Sequence, residues 1–458
     1  MKDREIAYQI LMEIEEGAYA NLILDRILRL NKQLTALDRG LITELVYGTV
    51  KYRNRLDWLI RETVKKAEKL EKGPRVLLRL SFYQLLFMDK IPSFAVTNEA
   101  VKLAKKYFHS GVASLINGVL RNYLRNQEKV VLPDAQKNPL EYLEIVYSHP
   151  RWMLERWLKR YGWENTVKLC EYNNAPADLW IRVNTLKCTR QELAIKLRAE
   201  GCDVSFSLLV PEGILLKSAP PLGTLASFRQ GLFTVQDESS MLVAHVVNPQ
   251  PKQTVLDVCA GPGGKTTHLA QLMKNQGEIL ACDVHRHRIR LIKENAERLG
   301  IDIVETKLLD ATRIAQELQR QFPLVLIDAP CSGLGVLRRR PDSRWHKQPE
   351  ELQQLAELQT QILGSVYELL APGGRIIYST CTIEPEENVE VIAKFLAEHT
   401  DMESFDLTPY LPYIGTTVGE KEELKKGRRQ FLPFADGMEG FFIAGLQKKG
   451  CFGHGKEK

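Results

Sequence analysis

The sequence predicts a multidomain protein with three parts: an all-α bundle, a small α+β module, and an α/β domain on a doubly wound parallel sheet. Three observations predict it. The chain has 458 residues, more than a single hydrophobic core usually serves. Apolar residues recur at helical spacing through the first third of the chain. From Thr254 onward, short apolar runs alternate with helical stretches, which is the rhythm of parallel strands joined by crossover helices. With 44% hydrophobic and 26% charged residues, the composition is that of an ordinary globular protein.

The bundle occupies residues 1–135. Ile6, Ile10, Leu11 and Ile14 share one helical face, as do Leu22, Leu24, Ile27 and Leu28. Thr35 and Asp38 mark a helix start, with side-chain oxygens for the orphan amides of a first turn. Leu41, Ile42, Leu45 and Val46 form the next apolar face. Gly73-Pro74 reads as a break before a helix over 75–88, and Ile91-Pro92 as another. Helices over 95–107 and 114–124 complete the bundle. Residues 136–235 hold linker helices and the small module. Its helix over 150–161 has Trp152, Trp157 and Trp163 in it or just beyond. A strand over 179–183, a helix over 190–200 and strands over 204–206 and 213–216 suggest a split β-α-β, RRM-like arrangement. Residues 236–450 form the α/β domain, with strands near 254–258, 278–282, 302–306, 323–327 and 374–379. A terminal pair over 402–407 and 440–446 is expected to add antiparallel strands at one edge, after a basic loop over 425–429.

The net charge is +6, and its placement matters more than its size. Residues 1–140 carry 24 Lys and Arg against 16 Asp and Glu; the remainder carries 39 against 41. A basic N-terminal third fits a nucleic-acid partner held through phosphates. A solvated surface accounts for the same charge equally well. No apolar run approaches the length of a membrane span, and the charged start is no secretory signal, so a cytoplasmic location is expected. The closest two of the eight cysteines, Cys188 and Cys202, are 14 positions apart, so there is no Cys-x-x-Cys metal or redox motif and no metal is expected. Cys170, Cys188, Cys202, Cys282 and Cys451 read as inert packing groups.

The segment Asp257-Val-Cys259-Ala260-Gly261-Pro262-Gly263-Gly264-Lys265-Thr266 joins the first strand of the α/β domain to its helix. Glycines let the backbone approach a ligand closely. A P-loop needs glycine at 259, where a cysteine stands, and the spacing also fails a dinucleotide fingerprint. Asp283 ends the second strand, where a carboxylate accepts ribose hydroxyls. Asp310 follows the third strand and Asp328 ends the fourth. A crevice lined by carboxylates suits the ribose, amine and sulfonium of S-adenosylmethionine better than a pyrophosphate. Asp310 alone serves equally well as a helix cap.

Two cysteines stand apart. Cys331 follows the run ending at Ile327, and Cys381 follows the run ending at Tyr378. In an open α/β sheet, ligands bind beyond the carboxyl ends of the strands, so both thiols should open onto one cleft. Cytosine C5 methylation needs two such groups, a nucleophile and a partner.

These motifs carry a resemblance. Asp257–Thr266, Asp328-Ala-Pro-Cys331-Ser-Gly-Leu-Gly-Val-Leu-Arg-Arg-Arg-Pro-Asp342 and Tyr378-Ser-Thr-Cys381-Thr-Ile-Glu-Pro-Glu-Glu-Asn388 resemble the RNA (cytosine-5) methyltransferases of the RsmB/NOP/Sun group. The helical first domain resembles NusB. The resemblance covers nearly the whole chain and implies a Rossmann-like methyltransferase domain using S-adenosylmethionine. It implies that Cys381 adds to cytosine C6, that Cys331 serves product release, and that Asp328 and Lys265 act beside the base. Cys259, Ala260, Gly261, Pro262, Gly263, Gly264, Lys265, Asp283, Arg288, Asp310 and Asp328 would hold the cofactor. The implied partner is 16S ribosomal RNA in a single-stranded or loop region, where a base is cheaply unstacked, and not DNA. Nothing calls for an obligate assembly, so a monomer is expected. Arg338, Arg339 and Arg340 would grip phosphates. Gly261 and Glu439 stand where the family more often has Ala and Asp. Two rivals stay open: the same chemistry on transfer or another RNA, and a non-catalytic RNA-binding or antitermination-like factor.

Overall fold

The computed structural model describes residues 2–414 and 417–450; Cys451 lies outside them. The chain divides into two compact units, Met1–Pro176 with Leu337–Lys347, and Ala177–Val336 with Gln348–Lys458.

The first unit is helical. The capping box expected at its third helix, Ala36–Lys51, is present: Asp38 N–H donates to Thr35 Oγ1 and the Asp38 carboxylate accepts from Thr35 N–H. Gly73-Pro74 lies inside the first turn of the helix Lys72–Phe87 and does not precede it. Proline is tolerated there because first-turn amides have no intrahelical partner. The helix expected over 150–161 runs on to Asn174, kinked at Gly162, where φ is +73°. Residues 337–347 return from the sheet-bearing unit and pack with this one. Arg344, fully buried, donates to Ser148 O (3.1 Å), Asn173 O (3.2 Å) and Asn174 Oδ1 (2.9 Å), and Trp345 Nε1 donates to Val50 O (2.7 Å).

The second unit holds two sheets. Strands β1 (Leu179–Val183), β2 (Asp203–Phe206), β3 (Gly213–Ser218) and β4 (Phe233–Val235) pair antiparallel in the order β2-β3-β1-β4. Apolar residues of the helix Arg190–Ala199 pack onto this sheet. The larger sheet contains β5 (Thr254–Asp257), β6 (Glu278–Asp283), β7 (Val304–Leu308), β8 (Phe322–Asp328), β9 (Leu370–Thr380), β10 (Met402–Ser404), β11 (Arg428–Phe431) and β12 (Phe441–Lys448), in the order β10-β12-β9-β8-β5-β6-β7 with β11 paired to β12. Strands β5 to β9 are parallel, and β10 and β11 flank β12 antiparallel. Of the basic stretch expected as a loop, Lys426 and Gly427 form a turn, while Lys425 ends the helix Val418–Lys425 and Arg428 and Arg429 begin β11. Arg429 is buried there, its guanidinium 2.6 Å from Glu420 and 2.5 Å from Asp436. Paired charge lets a basic residue enter a strand.

The two sheets are tied by Arg182 of β1, which is fully buried. Its guanidinium donates to Gln271 Oε1 (2.9 Å), Thr267 Oγ1 (2.9 Å), Gly264 O (2.6 Å) and Gln236 Oε1. Glu212 is the nearby countercharge. Its Oε1 in turn lies 2.8 Å from His245 Nε2 and 2.5 Å from His268 Nε2. Burial lowers the His268 imidazole to about 4, so it is neutral near pH 7. Removing one member of such a buried charged network costs about 3 kcal/mol or more. Arg182→Met is expected to lower the urea midpoint of unfolding accordingly; an unchanged midpoint would show the network to be dispensable.

Candidate active site

Five neighbouring parallel strands present their carboxyl ends along one edge of the large sheet, and the predicted residues lie at those ends. The loop 258–264 follows β5, Asp283 closes β6, Asp310 follows β7, Asp328 closes β8, and Cys381 follows β9. In the parallel pairing of β8 with β9, Asp328 stands opposite Ser379. Cys331 and Cys381 each come three or fewer residues beyond that aligned end. Their sulfurs are 3.3 Å apart, and both residues are half-buried. Hydrogen bonding to Cys381 and burial raise the Cys331 thiol well above its ordinary range. At this separation the two cannot both ionise, so they share a proton and titrate as a pair.

Lys265 and Asp328 form an ion pair, Nζ to Oδ2 2.7 Å, with Lys265 over the Phe441 ring at 5.3 Å. Ser379 Oγ donates to Asp328 Oδ1 (2.8 Å), which fixes the carboxylate's orientation.

The glycine loop is shaped by its neighbours. Gly263 adopts φ +98° at the helix start, a conformation that favours glycine. Gly261 N–H donates to Asp283 Oδ2 (3.1 Å), and His285 N–H donates to Oδ1 (2.9 Å). Asp283 is nearly buried, yet its carboxylate keeps acceptor capacity beyond these two bonds. Arg288 lies 3.6 Å from Asp283 Oδ2 and is half-exposed. A Cβ at Gly261 would fall 2.5 Å from Arg288 Cβ and 2.6 Å from Asp283 Oδ2, so glycine lets both residues close over the loop. Cys259 is half-buried, and its thiol is pushed well up by desolvation; Ala260 is buried and Pro262 exposed. Asp310 is exposed and accepts from Thr312 N–H (2.9 Å) and Oγ1 (2.8 Å), and the backbone bond first of all lowers its carboxyl. It caps the short turn Ala311–Arg313.

Arg338 differs from expectation. It is 8% exposed and stacks on Tyr172 at 4.2 Å inside the helical unit. That leaves it no face for phosphates; Arg340 of the same run is exposed. Cys170, Cys202 and Cys282 are buried and Cys188 half-buried. Burial raises the Cys282 thiol to about 12.

Several residues here escaped sequence reasoning. Gly335 N–H donates to Cys381 O (3.0 Å), and Gly440 N–H donates to Gly335 O (2.9 Å). A Cβ at Gly335 would lie 2.0 Å from Gly440 O, so only glycines let these segments pin the cysteine. Ser332, Thr382, Gln359 and Glu387 form a buried network behind the thiols. Glu387 and Thr382 lay within a recognisable motif; Gln359 carried no signal.

Residues 244–447 match the family described as 16S rRNA methyltransferase RsmB/F. The probable ribosomal RNA small subunit methyltransferase B of Bacillus subtilis (strain 168) is 41% identical over 452 residues, 98% of this chain and 99% of that one. The chain belongs to the RsmB/F methyltransferase family. As a family member it is an enzyme, which removes the non-catalytic rival. Residues 1–125 match the NusB family and 149–222 the RsmF/B-like ferredoxin-like domain, as expected for the bundle and the split β-α-β module. The solved structure PH0851 covers 98% of both chains at TM-score 0.80 and 30% identity. NSun6 from Pyrococcus horikoshii, solved with SFG, is 26% identical at TM-score 0.59, covering 67% of this chain and 99% of that one. Among the described residues, no helix is long and apolar enough to cross a membrane.

Asp257, at the end of β5, is fully buried. Its Oδ2 accepts from Thr266 Oγ1 (2.7 Å) and its Oδ1 has no partner. Burial raises the carboxyl to about 7, against roughly 3.9 in an unfolded chain. The stability that the neutral carboxyl confers is complete below the unfolded value and is lost as pH rises to about 7. Asp257→Asn removes this titration. Its stability relative to wild type is expected to improve between pH ~4 and ~8 by roughly 2–4 kcal/mol, read as melting temperatures across pH. A difference that stays constant with pH would place the titration elsewhere.

Proposed function

We propose that this enzyme transfers the methyl group of S-adenosylmethionine to C5 of a cytosine in 16S ribosomal RNA, through a transient bond between Cys381 and C6. The observation that carries the reading is the sulfur pair, 3.3 Å apart beyond the ends of β8 and β9. The names of the family and of the B. subtilis relative support ribosomal RNA as the substrate. The residues present fit the cofactor: a glycine turn without a P-loop, a helix start, and the nearly buried Asp283 with open acceptor capacity. When bound, S-adenosylmethionine supplies an electrophilic methyl group on a sulfonium. Asp283, Arg288 and the loop 259–265 would hold it, with Asp310 at the rim and Asp328 toward the base.

The protein's own groups do the rest. Cytosine C5 is a poor carbon nucleophile. The Cys381 thiolate adds to C6 and makes C5 an enamine carbon that takes the methyl group. Asp328, steadied by Lys265 and Ser379, keeps a proton at N3 and draws negative charge off the ring. The C5 proton passes to solvent water, a step that Cys331 serves; the electrons of that bond re-form C5–C6, and Cys381 leaves as thiolate. The base must be extruded to meet both sulfurs, at a cost of a few kcal/mol that is smallest in single-stranded or loop RNA. The enzyme works as a monomer in the cytoplasm.

Bisulfite sequencing of ribosomal RNA from cells with and without the gene tests the substrate. Loss of one methylated cytosine in 16S RNA is expected; an unchanged 16S pattern refutes it. Cys381→Ala is expected to abolish both turnover and covalent adduct, and normal turnover would overturn the nucleophile assignment. Cys331→Ala is expected to methylate and then stay bound, giving a retarded RNA–protein band on denaturing gels. Full turnover without that band would overturn its release role.

A further inference from the structure

Glu387 is fully buried behind the two thiols, and the reaction just described gives it no task. Its Oε2 accepts from Ser332 N–H (2.8 Å) and from Gln359 Nε2 (3.1 Å), and its Oε1 from Ser332 Oγ (2.5 Å). Ser332 is the residue after Cys331. Ser332 Oγ also lies 2.8 Å from Thr382 Oγ1, and Thr382 is the residue after Cys381. Gln359 Nε2 also donates to Pro330 O (2.9 Å), and Tyr378 OH donates to the Glu387 carbonyl (2.7 Å). One carboxylate therefore holds both cysteine loops in register. Burial pushes the Glu387 carboxyl above its ordinary range, while the donors from Ser332, Gln359 and Thr382, all neutral groups, favour its ionised form.

We propose that Glu387 is the positioning residue that decides which of the two thiols is the nucleophile: its charge, anchored on the Cys331 loop, keeps the shared proton on Cys331 and leaves Cys381 as the thiolate. On ionisation of the pair, one proton goes to solvent and the other stays on Cys331, whose S–H donates to the Cys381 sulfur. A buried charge acts through a low dielectric and is barely screened. The Cys331 thiol feels it directly. The other groups nearby do not offset this bias. Asp328 is paired with Lys265, while burial keeps the Tyr378 phenol and the Cys259 thiol protonated. The inference rests on the reading that these thiols carry the reaction, and it gives a physical reason for their division of labour.

The test is alkylation of the free protein by iodoacetamide across pH, without RNA or cofactor, with each cysteine followed by peptide mass spectrometry. In wild type, Cys381 is expected to react with the lower pH midpoint; the reverse order overturns the proposal without any variant. Glu387→Gln keeps the shape and removes the charge. It is expected to lower the Cys331 midpoint and to narrow the preference for Cys381 roughly tenfold. Thr382→Val cuts a hydrogen bond but leaves the charge, and should keep the wild-type preference. An unchanged preference in Glu387→Gln, or an equal loss in Thr382→Val, reduces Glu387 to a structural tie. Because no RNA is present, this result stands apart from the adduct experiments: they can fail while the alkylation preference holds, and the converse.

Discussion

The arrangement of this site depends on the parallel pairing of β8 with β9. Those strands end in register, Asp328 beside Ser379, and each hands its chain to a short loop bearing a cysteine. Hydrogen bonding along the ladder thus does what sequence distance opposes: it brings two sulfurs, 50 positions apart in the chain, to 3.3 Å. The flanking pairs extend the same logic. β5 lies on the other side of β8 and delivers the glycine loop, and β12 lies on the other side of β9 and delivers Gly440 against Gly335.

Around that frame, buried polar groups set the geometry. Arg182 reaches from the small antiparallel sheet to Gly264 O at the start of the helix after the glycine loop. It therefore couples the position of the ferredoxin-like module to the glycine loop. Glu387 plays the corresponding part for the cysteine loops. Both side chains are fully buried and ionisable, and such groups persist in cores only where their donors and acceptors are engaged. That makes their positions well defined, since a shift that opens one bond exposes an unpaired charge to an apolar interior.

Burial also changes what the acidic groups do. Asp257, Asp283, Asp310 and Asp328 all stand at strand ends, and the sequence treats them alike. The structure separates them. Asp257 is buried with an unpaired oxygen and tends toward neutrality. Asp283 gathers backbone amides, Asp328 is held by Lys265 and Ser379, and Asp310 caps a turn in solvent. One residue type in one kind of position thus yields four different electrostatic roles.

Much of this was legible in the sequence, because local patterns have local causes. Helical and strand periodicities, the Thr35–Asp38 cap and the cysteines after apolar runs all follow from chemistry within a few residues along the chain. The order β12-β9-β8-β5-β6-β7, the burial of Arg338 against Tyr172, the conversion of part of a basic loop into β11, and the convergence of Ser332, Gln359 and Glu387 were decided only in three dimensions. Their partners lie as near as 10 positions away, where Phe431 of β11 pairs with Phe441 of β12, and as far as 166, between Arg338 and Tyr172, and a charged residue looks the same in sequence whether it faces water or a buried donor. The chain's own letters determined which groups could do chemistry; the tertiary fold decided which of them meet, because only packing fixes distance, desolvation and the company a charge keeps.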